Sequence, residues 1–154
     1  MLDRMATALV RRCSTMVIAT GGRQDPWAAP VYYVWSRNAF WFYSSDGSRH
    51  IRLGLEHGKA AAALWEDADT WRKIQGLQMQ GRLSRAEETA RAAAIALAYT
   101  AKFPRAAGIL KDRSGKESGG GKVRLYAFRP DRLIYTNNRF GLGFRRPVRL
   151  EGDD

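Results

Sequence analysis

Phe42-Tyr43-Ser44-Ser45-Asp46-Gly47-Ser48-Arg49-His50 reads as a strand that runs through a short polar turn into the basic start of a helix. A helix N-terminus leaves about four backbone N–H groups unpaired and partly positive, so Ser48, Arg49 and His50 placed there build a seat for a phosphate. Without further context the same residues are also a plain helix start, with a hydroxyl cap and two solvated side chains. An imidazole with an ordinary pKa of about 6.5 holds a phosphate less firmly near neutrality than a lysine does, so a contact through His50 weakens as pH rises from about 6 to 8.

Toward the N-terminus the pattern is that of a helix followed by meandering strands. Residues 2–12 space Leu2, Met5, Ala6, Leu9 and Val10 at helical intervals, with Arg4, Arg11 and Arg12 between them, which predicts an amphipathic helix lying on a sheet. Thr15–Thr20 is a strand stopped by Gly21 and Gly22, and residues 27–35 form a second strand hairpinned to it. Arg37 and Asn38 make the next turn, and residues 40–43 are an aromatic third strand that delivers the chain to the polar bend.

Toward the C-terminus, residues 48–56 fit a short helix closed at His57 and Gly58. Residues 60–65 are a strand of small side chains, which let another group approach closely. In the strand over 73–83, Ile74, Gly76, Gln78 and Gln80 alternate with Gln75, Leu77, Met79 and Gly81, which predicts a polar row unusual for a barrel interior. Ser84 and Glu87 have capping-box spacing ahead of an alanine-rich helix to about Lys102, and Pro104 opens a second helical piece. Residues 112–122 carry four glycines and no large apolar side chain, the composition of a mobile surface loop. Residues 123–128 and 133–136 close the pattern as a hairpin turning at Pro130 and Asp131, and 145–154 is a tail. Short strands with helices between them predict an α+β, mainly β, antiparallel barrel with peripheral helices, in one domain over residues 1–154.

Composition narrows the classes. The 154 residues are 45% apolar and 11% aromatic, enough for a real core. No window approaches the ~18 apolar residues of a membrane span and no signal peptide is evident, so a cytoplasmic protein with no membrane partner is expected. Cys13 cannot form an intrachain disulfide and reads as buried packing. Two histidines and one cysteine without ligand spacing predict no metal site. A net charge of +11 favours anions in general, but the 26 Lys and Arg are dispersed, so no specific nucleic-acid partner is expected. The crowd of Trp27, Tyr32, Tyr33, Trp35, Phe40, Trp41 and Phe42 reads first as cross-strand packing and a dimer face.

The order of Tyr43-Ser44, then Ser48-Arg49-His50, then a polar strand ending Gln80-Gly81-Arg82-Leu83 resembles the FMN-binding split barrels related to pyridoxamine 5′-phosphate oxidase. There a strand ending in Tyr-Thr leads to Ser-Arg-Lys, whose basic pair grips the FMN phosphate; here histidine replaces lysine. Ile74-Gln75-Gly76-Leu77-Gln78 and Thr136-Asn137-Asn138-Arg139-Phe140-Gly141-Leu142-Gly143-Phe144 are similar to a small family within that superfamily.

The resemblance implies FMN as cofactor, with the ring along Pro30, Val31 and Tyr32, the ribityl chain beside Tyr43 and Ser44, and the phosphate on Ser48, Arg49 and His50. Gln75 or Gln78 would face the ring, since a one-residue slip exchanges which one points inward. It also implies a homodimer with the cofactor at the subunit interface, with Phe144, Arg145 and Arg146 reaching the partner's flavin. The oxidase proper carries an arginine and a lysine on the second strand, where this chain has Ala29-Pro30-Val31-Tyr32-Tyr33-Val34-Trp35, so that activity is not expected. What remains is a flavin-dependent oxidoreductase taking hydride from NAD(P)H for a small acceptor. The alternative is a non-catalytic carrier of flavin, haem or a deazaflavin.

Overall fold

The computed structural model of the chain describes residues 1–23, 25–87, 89–111 and 121–152. The helix expected at the start is α1 (Leu2–Arg12), which buries Ala6, Leu9 and Val10 completely and leaves its arginines outside. Strand β1 (Thr15–Thr20) follows, then β2 (Trp27–Tyr32), antiparallel to it. The expected long second strand is interrupted: β3 (Val34–Ser36) begins after a one-residue break at Tyr33. Strand β4 (Ala39–Ser45) returns against β3 through Arg37 and Asn38, whose φ values of 50° and 58° are those of a tight hairpin turn.

The break at Tyr33 closes the barrel. With β5 (Ala60–Trp65), β6 (Gln75–Arg85) and β7 (Val123–Asn137), the strand order is β2-β1-β5-β6-β7-β4-β3, so β2 and β3 lie at opposite edges of the sheet while only Tyr33 separates them in the chain. The sheet must therefore curl until its two edges meet at that residue. Tyr33 is fully buried there: its hydroxyl donates to the Val10 carbonyl at 2.7 Å and its ring meets Phe40 edge-on at 5.1 Å. Phe40, Phe42, Phe128 and Tyr126 fill the interior with Met16, Ile18, Leu64 and Leu77.

Helix α2 (Arg49–His57) starts after Ser48 and ends at Gly58, whose φ of 69° is the left-handed closure expected of glycine. Strand β5 (Ala60–Trp65) pairs with β1 and with β6 (Gln75–Arg85). On β6 the core takes Leu77, Met79 and Leu83, which turns Gln78 and Gln80 outward. The polar row therefore lies on the outside of the barrel, because burying uncompensated amides would cost more than exposing them.

Two further expectations are corrected. Ser84 lies within β6, its hydroxyl accepting from Arg129 at 3.1 Å, so it caps nothing; helix α3 (Ala90–Lys102) begins after Thr89. Residues 123–136 are no hairpin but parts of one strand, β7 (Val123–Asn137). Pro130 and Asp131 mark a bulge, since Gly81 faces Pro130 while Gln80 faces Arg132, leaving Asp131 as the extra residue. The helical piece at Pro104 is a 3-10 turn leading into α4 (Ala107–Lys111). Of the expected loop, residues 112–120 lie outside the described residues. The tail begins as β8 (Arg145–Pro147), paired with β7, and then buries Val148. The observed architecture is the expected antiparallel split barrel with peripheral helices, and among the described residues no helix is long and apolar enough to cross a membrane.

Candidate functional site

Strand β4 emerges from the core at Tyr43 and hands Ser44 and Ser45 to the polar turn. Asp46 fixes that turn against the incoming end of β7. Its backbone N–H donates to the Lys122 carbonyl at 3.0 Å, and its carboxylate accepts from the Lys122 N–H at 3.0 Å and Arg124 Nε at 3.1 Å. The Arg124 hydrogen bond, helped by the Lys122 amide, holds the Asp46 carboxyl below the usual carboxylate range. A depressed carboxylate stabilises the fold above its unfolded value of about 3.9 and ceases to do so as pH falls through its folded value. The protection factor of the Lys122 amide should therefore fall below pH ~4 in the native protein and already be low at neutral pH in Asp46→Ala.

The turn forms one end of a cleft of about 910 Å³ that runs from β2 across the end of β4 to the junction of α3 and α4. Pro30, Val31 and Tyr32 line it from β2, and Tyr43, Ser44, Ser45 and Ser48 from the β4–α2 side. The opposite wall is Tyr99, Lys102, Phe103 and Arg105. Tyr32, Phe103, Tyr99 and Tyr43 form a series of rings, each successive pair 4.9 Å apart between centroids, which connects the two ends. Among the described residues the lining includes the cations of Lys102 and Arg105 and no carboxylate, so this surface suits a flat aromatic anion.

The structure thus brings Pro30, Val31, Tyr32, Tyr43, Ser44 and Ser48 around one space. His50 stands directly behind it: buried, with Nε2 2.8 Å from Ser44 Oγ. Burial pushes its imidazole below the ordinary value of 6.5, so it is neutral above that pH and orients the Ser44 hydroxyl rather than presenting a charge. Arg49 lies over the Trp27 ring at 4.3 Å and is ion-paired with Asp25, outside the cleft lining.

The remaining expected contacts lie elsewhere. Gln75 is held at the barrel end, donating to Glu66 at 2.6 Å and accepting from the Tyr135 hydroxyl at 3.0 Å. Gln78 is exposed on the outer face. Phe144 packs on Phe140 at 5.1 Å and Arg145 is exposed on β8, both distant in the sheet from β2. The α3–α4 wall was not read from the sequence. Its signal was the spacing of Ile95, Tyr99 and Phe103, a stripe four residues apart in an otherwise small-residue helix.

With the cleft and the barrel described, comparison with known proteins places the chain. The sequence profile described as pyridoxamine 5′-phosphate oxidase matches residues 2–137. The chain belongs to the pyridoxamine 5′-phosphate oxidase family. Among relatives of this family member, a UPF0306 protein of Enterobacter sp. (strain 638) is 27% identical over 119 residues, spanning 76% of this chain and 75% of that protein. A UPF0306 protein of Klebsiella pneumoniae (strain 342) is 26% identical over 121 residues, 76% and 72% of the two chains.

Solved structures give the same fold at lower identity. A heme binding protein of Mycobacterium smegmatis superposes with a TM-score of 0.76 at 19% identity, over 96% of this chain and 57% of that one, so this chain spans little more than half of it. The heme storage protein HutZ of Vibrio cholerae gives 0.70 at 17% identity, over 86% and 92%. A FAD-binding protein of Mesorhizobium loti gives 0.65 at 10% identity, over 84% and 90%.

Proposed function

We propose that the cleft binds flavin mononucleotide and that the protein is a flavin-dependent oxidoreductase for a small molecule, distinct from pyridoxamine 5′-phosphate oxidase proper. The observation that carries this reading is the composition of the cleft among the described residues: Ser44, Ser45 and Ser48 at one end, two cations and no carboxylate, and a series of aromatic rings between. Bound there, FMN would supply two-electron redox chemistry. The chain's own part is to seat and shield it.

Strand β2 ends the sheet order, so one row of its backbone groups faces away from β1, where it can hydrogen-bond the pyrimidine edge of a ring lying along Pro30, Val31 and Tyr32. Ser44, Ser45, Ser48 and the first amides of α2 would hold the phosphate, with Arg49 joining only by leaving Asp25. The absence of a basic residue from 29–35 is the reason to set the oxidase activity itself aside.

A homodimer completes the reading. On the outer face, small side chains of β1 and β5, Val17, Ala19, Ala61 and Ala63, lie beside Gln78 and the exposed Trp65, a flat surface that a second copy can cover. From that outer surface Gln78, Phe144 and Arg145 would act on the partner's flavin.

Similarity to heme binding proteins motivates a second reading, as a haem carrier. A haem iron needs an axial ligand, and among the described residues the cleft lining holds no His, Cys or Met, so that of the usual haem ligands it offers tyrosine. Flavin is therefore the better fit.

Titration with FMN should quench flavin fluorescence to saturation, and Ser44→Ala should weaken binding by about 1 kcal/mol by removing one hydroxyl contact. Affinity weaker than about 1 mM, roughly 4 kcal/mol, would overturn the flavin reading, and a Soret band in the purified protein would replace it with haem. Anaerobic mixing with NADH or NADPH separates the enzyme from the carrier: bleaching of bound flavin within seconds supports catalysis, and none within an hour supports storage or delivery.

A further inference from the structure

Lys102 has an environment unlike that of a surface lysine. It closes the last turn of α3, and its Nζ donates to the Cys13 carbonyl at 2.7 Å and to the Tyr33 carbonyl at 3.1 Å. Below the ammonium lies the Tyr33 ring at 4.4 Å, and the Phe103 ring is 5.4 Å away. These contacts join three parts of the molecule: α3, the α1–β1 junction, and the one-residue break at which the barrel closes. Two carbonyls occupy two N–H donors, and the third has no partner among the described residues although Lys102 lines the cleft.

A half-buried cation with a spare donor beside an aromatic-walled cavity is costly unless something anionic uses it. We propose that Lys102 is a ligand-binding residue: anchored by the carbonyls of Cys13 and Tyr33, it offers its third N–H to an anionic or carbonyl edge of the aromatic ligand and so couples occupancy to the seating of α3. This rests on the cleft being the flavin site. It adds a contact at the end opposite the serines, so the occupant is recognised at both its tail and its ring.

The groups facing Lys102 leave it as the one that changes charge near neutrality. Burial pushes the Cys13 thiol and the Tyr33 and Tyr43 hydroxyls up, and Tyr99 up to about 12, whereas it brings the Lys102 ammonium down to about 8. Tyr32 and the Arg105 cation complete the surroundings. Because the lysine is charged below its own value and neutral above it, its contact with an anion is present at pH 7 and lost as pH rises through about 8. The second ionisation of the ligand's phosphate, near pH 6, falls outside that window.

FMN titrations of the wild type, Lys102→Met and Lys102→Arg test the proposal, followed by fluorescence between pH 7 and pH 9.5. The expected result at pH 7 is roughly tenfold or greater loss of affinity in Lys102→Met, as for a lost charge-assisted hydrogen bond, with Lys102→Arg retaining most of it. Wild-type affinity should then fall across the series while Lys102→Arg stays flat, a difference that a purely structural role would not produce even if Lys102→Met folds poorly. Equal pH profiles in wild type and Lys102→Arg, or unchanged affinity in folded Lys102→Met, would overturn the contact while leaving FMN binding intact. Failure of the wild type to bind FMN at all would overturn the flavin reading, and this contact with it.

Discussion

Phe40→Ala will lower the unfolding free energy by about 4 kcal/mol, within the range for removing a large aromatic from a packed core. Phe40 is completely buried where the two sheet edges meet, with ring centroids 5.1 Å from Tyr33, 4.8 Å from Trp35 and 6.2 Å from Phe128. Deleting its ring empties space that residues on β3, β7 and the break between β2 and β3 all border, and no neighbour is long or mobile enough to refill it. Against a total of about 5–15 kcal/mol for a small domain this is a large fraction. Urea denaturation followed by tryptophan fluorescence should show the midpoint falling with little change in slope. A loss under about 1 kcal/mol would mean that the ring is not central to the packing.

Gly81→Ala will cost about 3 kcal/mol for a different reason, since it adds a single methyl group. At the bulge between β6 and β7, a Cβ on residue 81 would overlap the Arg129 carbonyl and lie 2.8 Å from the Pro130 Cα. Both are backbone atoms of residues paired into the sheet, so the strain cannot be relieved by turning a side chain. The same denaturation measurement, with Gly58→Ala for comparison, checks it. At Gly58 nothing beyond its chain neighbours lies within 4 Å of the added group among the described residues, and the cost there arises from its φ of 69°.

Much of the barrel was legible because local chemistry and global fold agree. Residues 2–12 and 15–20 carry unambiguous helical and strand patterns, and Asn38 and Gly58 mark turns that need positive φ. The errors fall where a short-range signal was overruled by pairing across the sheet. Pro130 and Asp131 look like a turn, yet β6 supplies partners on both sides of them and absorbs the extra residue as a bulge. Ser84 and Glu87 have cap spacing, but residue 84 is already paired with Ala127. Trp27 to Trp35 read as one strand because nothing in Tyr33 itself announces that the sheet edges meet there.

The cleft divided in the same way. Its β2 and β4–α2 sides were visible, since Pro30, Tyr43, Ser44 and Ser48 carry recognisable local patterns. The α3 wall was not, because Lys102 acquires its character only from the carbonyls of Cys13 and Tyr33, which are 89 and 69 residues away along the chain. Arg49 shows the converse: a residue type suited to a phosphate is paired instead with Asp25, a partner that spacing alone did not suggest.

Strand β7 is common property of two halves. Its first residues pair with β4 and its later ones with β6, and Tyr126, Ala127 and Phe128 bond on both sides at once. Neither half can peel away without stripping partners from the other, so melting should be cooperative across the whole barrel rather than sequential. A ligand that steadies the β4 end would then be felt as added resistance to unfolding at the remote β5–β6 end as well.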